Sequence, residues 1–591
     1  MRPPHAWYNR SVPRNTRHSR CLPPAFERGA IVKPHAGRLL FALAFPNTYK
    51  VGMSSLGFQV VYALLNGMEQ VACERVFLPD QDDQPRIRQI RTVESGTPVA
   101  DADVVGFSVY FELDYANVLA MLELAGIPLR SADRDEGHPL VVAGGPAMMI
   151  NPEPLAEFVD AVAVGDGEEL VPELASRILE LGAEARGVVP RRQLLQALAD
   201  VEGVYVPSLY KPVYGGLGVA EIRPVQGAPY PVRRRVTRDL GRYDVTSAIV
   251  TPNTEFGETL LTEVARGCAR GCRFCFAGYG YRPVRYRRAE DVHPLVLARA
   301  LGVEQALRGA RRVGLVGSSL SDNPSCVQIA AAFADLGVEV SLSSVRAETM
   351  DRQLAEAIAR SGQHHVTLAP EAATPRLRRV IRKPITDEQL HRAVDSAASA
   401  GIRDFKLYFL LGLPTETDED AAAIADLALA LMREHGIRSV TVSLSPLVPK
   451  PSTPFQWHPM ERAPVIEARR RLVERRLAGA RGVKVQAGSV RLAEVQALLS
   501  RGDRRLAEVL EAVRRHAGDW RAAIREVGLD VDAHLRRERA RDELFPWDVL
   551  DLGLDRETLW REYQLALRGL LRDPRGRSGS EPLVQARERF G

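Results

Sequence analysis

The sequence predicts an α/β protein: an N-terminal doubly wound parallel sheet of Rossmann type, then a partial (β/α)6 barrel of TIM type, then a C-terminal helical region. Three observations predict it. From about residue 38, short and almost wholly apolar runs alternate with amphipathic segments, the pattern of strands covered on both faces by crossover helices. A second βα series starts near residue 258. Past about residue 462, charged helical periodicity replaces the strands.

In the first unit, RLLFALAF, QVACERVFLP, DVVGFSVYF, PLVVAGG and DAVAVG read as strands. SSLGFQVVYALLNG and DYANVLAMLELAG read as helices between them. Ligands on such sheets bind beyond the carboxyl ends of the strands, where the strand order reverses. The following stretch, rich in Gly, Pro and Arg, reads as a crossover between domains. In the second unit, strand ends fall at LLTEVARG, RRVGLVGSS, VEVSLSSVR, HHVTLAPEA, RDFKLYFLLGLP and SVTVSLSPLVP. Helices such as MDRQLAEAIARSG and TDEQLHRAVDSAASAG separate them. Chemistry in such barrels gathers at the carboxyl-terminal face. VKVQAGSV is a candidate further strand. The expected divisions are a basic lead-in (1–37), the sheet domain (38–190), a crossover (191–250), the barrel (251–485), C-terminal helices (486–570) and a mobile tail (571–591).

A chain of 591 residues calls for more than one domain, and its 45% hydrophobic and 26% charged residues are a globular balance. No apolar run approaches the roughly 20 residues of a membrane helix, so no membrane partner is expected. With 79 basic against 74 acidic residues, charge alone gives no reason to expect nucleic acid. Six cysteines exclude a disulfide scaffold. The first 30 residues carry six Arg and one acid, Glu27, which reads as a loosely docked basic lead-in or as a transit segment.

The chemistry concentrates in RGCARGCRFCFAGYGYRP, which sets Cys268, Cys272 and Cys275 at C-x3-C-x2-C spacing directly after the first barrel strand. Three thiolates on one loop can hold three irons of a 4Fe–4S cluster and leave the fourth open to a small molecule. A structural zinc or a redox thiol set is the alternative, but zinc needs a fourth ligand and no His lies in the loop. YGYRPVRYRR follows, interleaving Arg282, Arg285, Arg287 and Arg288 with Tyr279, Tyr281 and Tyr286. It suits an anionic substrate, an RNA, or a solvated lip.

The cysteine spacing, with Phe274 before the third cysteine, resembles the radical S-adenosylmethionine (SAM) superfamily. The resemblance implies a 4Fe–4S cluster whose free iron chelates the methionine part of SAM, and cleavage to methionine and a 5′-deoxyadenosyl radical. It implies cofactor-binding roles at the other strand ends: Ser318, Ser319 and Ser321 after the second strand, Ser343 and Arg346 after the third, and Glu371 after the fourth. GLPTET, Gly412 to Thr417, resembles a stretch found after the fifth strand in that superfamily, where it shapes the turn.

The N-terminal domain resembles cobalamin-binding domains, which use a D-x-H-x-x-G loop, an S-x-L segment and a Gly pair. Here these read Asn47-Thr48-Tyr49-Lys50-Val51-Gly52, Ser108-Val109-Tyr110 and Gly144-Gly145, in the same order. Tyr49 stands where the histidine would coordinate cobalt, and Asn47 where its orienting aspartate would be. From AFPNTYKVGMSSLG to LFPWDVLDLG, roughly residues 38–565, the chain is similar to a subfamily of radical SAM proteins with an N-terminal cobalamin-binding-like domain. This implies cobalamin as a further cofactor and methylation of an unactivated carbon as the reaction. A cobalamin-independent radical rearrangement, cyclisation or oxidation, or an RNA-modifying factor, is the alternative. The cluster implies a reducing, cytoplasmic setting and a reductant such as flavodoxin or ferredoxin.

Overall fold

A computed structural model describes residues 26–80, 87–182, 188–216, 218–225, 227–342, 345–572 and 578–579. The N-terminal sheet has the order Val71–Phe77, Leu39–Phe45, Val104–Ser108, Leu140–Gly144, Ala161–Ala163, Val204–Tyr205. The first five strands are parallel and the last is antiparallel. Strand order reverses between Leu39–Phe45 and Val104–Ser108, so the loops after these two strands flank the switch point. Leu39–Phe45 and Val71–Phe77 are buried at every position, as their unbroken apolar character requires.

The sheet domain runs past the expected boundary at 190. Helix Arg191–Ala199 and strand Val204–Tyr205 complete it, and a hairpin of Tyr210–Gly215 with Gly218–Pro224 follows. A two-residue strand carries no periodicity, and only its pairing with Val162 and Ala163 defines it. The lead-in is docked where it is described. Arg28 and Val250 exchange backbone hydrogen bonds, and Glu27 pairs with buried Arg75 at 2.7 Å. Residues 1–25 and most of the expected mobile tail lie outside the described residues.

The barrel consists of two adjoining parallel sheets. Thr259–Glu263, Arg312–Val316 and Glu339–Leu342 form one, and His365–Glu371, Asp404–Leu411, Ser439–Pro446 and Val483–Ala487 the other. A bridge between Val345 and Leu368 joins them. The six expected strands are present, and VKVQA supplies a seventh. Alternate residues such as Leu260, Val313, Val340 and Phe405 pack outward on helical Ile329, Phe333 and Leu390, which leaves the intervening positions facing inward.

The C-terminal helices belong to the N-terminal core. Leu498, Leu506, Leu510 and Val513, on helices Val490–Arg501 and Leu506–Arg515, are buried in one cluster with the sheet. Leu506–Arg515 packs on Tyr115–Ala125. Asn151 donates its side-chain amide to the carbonyls of Ser500 (3.1 Å) and Gly502 (2.7 Å), and Arg504 pairs with Glu153 at 3.1 Å. Among the described residues no helix is long and apolar enough to cross a membrane.

Leu510→Ala removes a fully buried side chain from this shared core. It is expected to cost about 2–5 kcal/mol, read as a lower thermal midpoint. An unchanged midpoint would show that the helix is dispensable to the core.

Candidate active site

Cys268, Cys272 and Cys275 are free thiols on the loop after Thr259–Glu263, the first two buried and the third half-buried. Gly267 starts the loop at φ +80, where a Cβ would lie 2.5 Å from the carbonyl oxygen of Tyr281. Tyr279 donates its hydroxyl to the Gly271 carbonyl at 2.8 Å. Arg273, fully buried between the second and third cysteines, donates to Glu562 (3.0 Å) and to the carbonyls of Arg379, Val380 and Leu570. The loop is thereby anchored to the last helix, Arg556–Leu567.

Burial pushes the Cys272 thiol up, while the cations Lys383 and Arg346 pull it back. Burial, with the neighbouring Cys272 and Cys268, pushes Cys275 up to about 11 against backbone N–H groups of Ala277 and Gly278. Three coupled sulfurs, N–H donors aimed at one of them and two nearby cations suit a cluster bound through thiolates.

Around this loop the structure gathers most of the expected strand-end residues. Ser319 donates to Asp322 (2.6 Å), and Asp322 accepts from Arg270 Nε of the cysteine loop (2.9 Å). Ser321 accepts from the Arg346 N–H (3.3 Å) and the Thr349 hydroxyl (2.6 Å). Ser319 and Ser321 therefore brace the loops, and Ser318 lines the cavity described below. Ser343 lies outside the described residues. Arg346 pairs with Glu348 at 2.5 Å, yet Arg346 Nε and Glu348 Oε2 are buried without a hydrogen-bond partner. Glu371 sits at φ +64, 3.3 Å from Lys383. Burial raises Glu371, and Lys383 and Arg346 oppose the rise. Lys383, nearly buried just past helix Pro375–Val380, escapes sequence reasoning because it lies 12 residues beyond the strand end it serves.

A cavity of about 2320 Å³ opens between the carboxyl edge of the sheet and the barrel. It exceeds the roughly 300–1,000 Å³ of a pocket for one drug-sized ligand. Asn47, Ser108, Gly144 and Gly145 line it from the sheet side, Gly267, Tyr281 and Ser318 from the barrel side. Gly145 has φ +102, and a Cβ there would lie 2.6 Å from the Val109 carbonyl oxygen. Backbone therefore forms this part of the wall. Asn47 donates to Asp114 at 3.0 Å. Burial pushes Asp114 up to about 7, against hydrogen bonds from Asn47 and Asn117.

Of the six residues expected to hold cobalamin, Tyr49 and Gly52 do not line this cavity, and neither do Ser319, Ser321, Arg346 and Glu371 of the barrel loops. Tyr49 turns toward the lead-in, donates to Glu27 and packs edge-on against Phe77. Gly52 is a packing position: a Cβ would lie 2.4 Å from the Phe77 ring. Glu27, 22 residues earlier and in no motif, draws the tyrosine out while it also neutralises buried Arg75.

Asp166 and Glu168, at the start of helix Gly167–Glu180, clasp the barrel. Arg266 meets Glu168 (2.9 Å), Asp166 (3.2 Å) and Glu263 (2.9 Å), and Arg285 donates to Asp166 and to the Thr237 carbonyl. Burial works against the charge of Asp166, but Arg266 and Arg285 hold its carboxyl below the usual range. The arginine-tyrosine stretch is therefore largely internal. Arg285 and Arg287 are buried, Arg282 caps the Gly278 carbonyl at 2.7 Å, and Arg288 pairs with Asp291 on the surface. It offers no continuous basic face for RNA. Gly412 donates its N–H to Glu416 at 2.6 Å, so GLPTET shapes a turn as expected.

Two family profiles match the chain: "Radical SAM proteins, N-terminal" over residues 57–207 and "Radical SAM superfamily" over residues 262–428. An uncharacterized protein of Methanocaldococcus jannaschii is 29% identical over 472 residues, 80% of this chain and 90% of that one. An uncharacterized methyltransferase of Pyrococcus horikoshii is 24% identical over 349 residues, 56% of this chain and 65% of that one. Among solved structures, the radical SAM methyltransferase TsrM from Kitasatospora setae, with cobalamin and a [4Fe-4S] cluster bound, superposes with a TM-score of 0.47 at 17% identity, covering 71% of this chain and 74% of that one.

Between about pH 4 and pH 7 the folded protein retains a proton on Asp114 that the unfolded chain releases, so this group lowers stability as pH rises through that window. Asp114→Asn removes the penalty. Its thermal midpoint relative to the parent is expected to climb from about pH 5 to about pH 8; a pH-independent difference would show that Asp114 is charged throughout.

Proposed function

We propose that this chain, which belongs to the radical S-adenosylmethionine superfamily, binds cobalamin in the interdomain cavity and methylates an unactivated carbon. The observation that carries this reading is the continuity of one cavity from Asn47, Ser108 and Gly145 to Gly267 and Ser318. A ligand held by the sheet and one held by the barrel strands that line it would share a single cleft. The name of the Pyrococcus relative points the same way.

When bound, the cluster with SAM supplies one-electron cleavage to methionine and a hydrogen-abstracting 5′-deoxyadenosyl radical, and cobalamin supplies the methyl group. The residues of the chain do the rest. Cys268, Cys272 and Cys275 would hold three irons of the cluster and leave its fourth open to SAM. Gly144 and Gly145 bring backbone to the cavity wall, and the Ser108 side chain stands beside them. Tyr110 and Tyr281 line the cavity from opposite domains. No imidazole lies on the loop 46–52, so that loop offers cobalt no histidine. The electron comes from a reductant such as flavodoxin or ferredoxin in a reducing cytoplasm.

The first test is iron and cobalt per chain, measured together on protein purified anaerobically from cobalamin-fed cells and reconstituted with iron and sulfide. About four irons and about one cobalt are expected; four irons with no cobalt would leave a cobalamin-free radical reaction. Cys272→Ala is expected to lose the cluster's visible absorption and all SAM cleavage. Gly145→Val places a Cβ against the Val109 carbonyl, and cobalt is expected to fall at least tenfold while iron stays unchanged; full cobalt retention would remove cobalamin from this wall.

A further inference from the structure

Two imidazoles face each other between outer helices of the barrel. His391 lies on Asp387–Ser399, and His435 ends Asp418–His435. His391 Nδ1 stands 3.0 Å from His435 Nε2 and 3.1 Å from Glu434 Oε2, and one atom from each residue lies within 4.8 Å of the other two. None of the three lines the interdomain cavity, and the chemistry proposed above does not use them.

Four ligands placed tetrahedrally at about 2.0–2.1 Å from zinc are spaced about 3.3 Å apart. The separations of 3.0 and 3.1 Å are close to that edge. Two imidazoles with one carboxylate suit zinc and its neighbours, whereas calcium and magnesium select oxygen ligands. For both facing nitrogens to offer lone pairs, the protons must sit on His391 Nε2 and His435 Nδ1. His435 Nδ1 lies 3.6 Å from Asp395 Oδ1, a charge contact beyond hydrogen-bond reach. The Glu434 side chain is 58% exposed, so an ion has access from solvent and water can complete its shell.

We propose that His391, Glu434 and His435 bind one divalent transition ion of the zinc class. The ion pins the C-terminal end of Asp418–His435 to Asp387–Ser399. Only Gly436 to Arg438 separate that end from barrel strand Ser439–Pro446, so the pin also fixes the entry to this strand.

The test uses the full-length, cluster-reconstituted protein, desalted and titrated with zinc chloride alone and cobalt(II) chloride alone. One zinc per chain beyond the cluster iron, a cobalt(II) d–d spectrum of tetrahedral intensity, and a zinc-dependent rise in thermal midpoint are expected. His391→Ala and His435→Asn are each expected to weaken zinc binding at least tenfold with iron per chain unchanged. Cys272→Ala is expected to lose iron and keep the zinc, which separates this site from the cysteine loop. Absence of zinc uptake by the parent protein, or uptake unaffected by both histidine variants, would overturn the proposal and leave a hydrogen-bonded imidazole pair between two helices. The parent titration decides this even if a variant fails to fold.

Discussion

The clasp of Asp166 and Glu168 on Arg266 and Arg285 fixes the sheet domain over the barrel mouth. Buried ion pairs are poor sources of net stability, because desolvation offsets much of their attraction. Removing one partner, however, strands a buried charge at a cost of about 3–5 kcal/mol. The clasp therefore acts through geometry: other dockings of the two domains would take Asp166 and Glu168 from the guanidiniums that pair them and Arg285 from its carboxylate. Arg266 immediately precedes Gly267 and the first cysteine. The contact that orients the domains thus also orients the loop expected to carry the cluster.

That loop is held from three directions. Arg266 and Arg285 tie its two ends to the sheet domain, Arg270 ties its middle to Asp322 on the next barrel loop, and Arg273 runs through the core to Glu562. Each arginine makes more than one contact, which suits the fixed fork of its donors. Three cysteines on a short glycine-containing loop could otherwise sample many arrangements. These contacts restrict that freedom, and holding a site's supporting shell rigid is what makes its geometry reproducible.

The strands of the N-terminal sheet were legible because they are buried on two faces and read as apolar runs, and the cysteine loop because its spacing is local. Ser108 and Gly144–Gly145 were legible as strand-end residues, and neighbouring strands pair Ser108 with Gly144 directly. Long-range charge was not legible. Glu168 and Arg266 lie 98 positions apart, and nothing local distinguishes them from solvated charges. Tyr49 was misplaced for a related reason: a motif fixes its backbone position, but Glu27, 22 residues earlier, determines where its ring goes. The C-terminal helices were recognised as helices, yet periodicity names an apolar face without naming what covers it. Leu510 and Val513 find their partner in the N-terminal core.

This return of the chain to its beginning bears on how the two halves can work together. A cofactor on the sheet and a cofactor on the barrel can react only if their separation is held while substrate enters and product leaves. A single interdomain clasp would be a hinge. The C-terminal region supplies further attachments: Asn151 is bonded to Ser500 and Gly502, Glu112 meets both Lys450 and Ser500, and Arg504 is held by Glu153. The same region then reaches the cysteine loop through Glu562. The sheet is consequently joined to the barrel once through the clasp and again through a helical strap that ends beneath the cluster loop. Two separated attachments resist rotation of the sheet against the barrel where one does not.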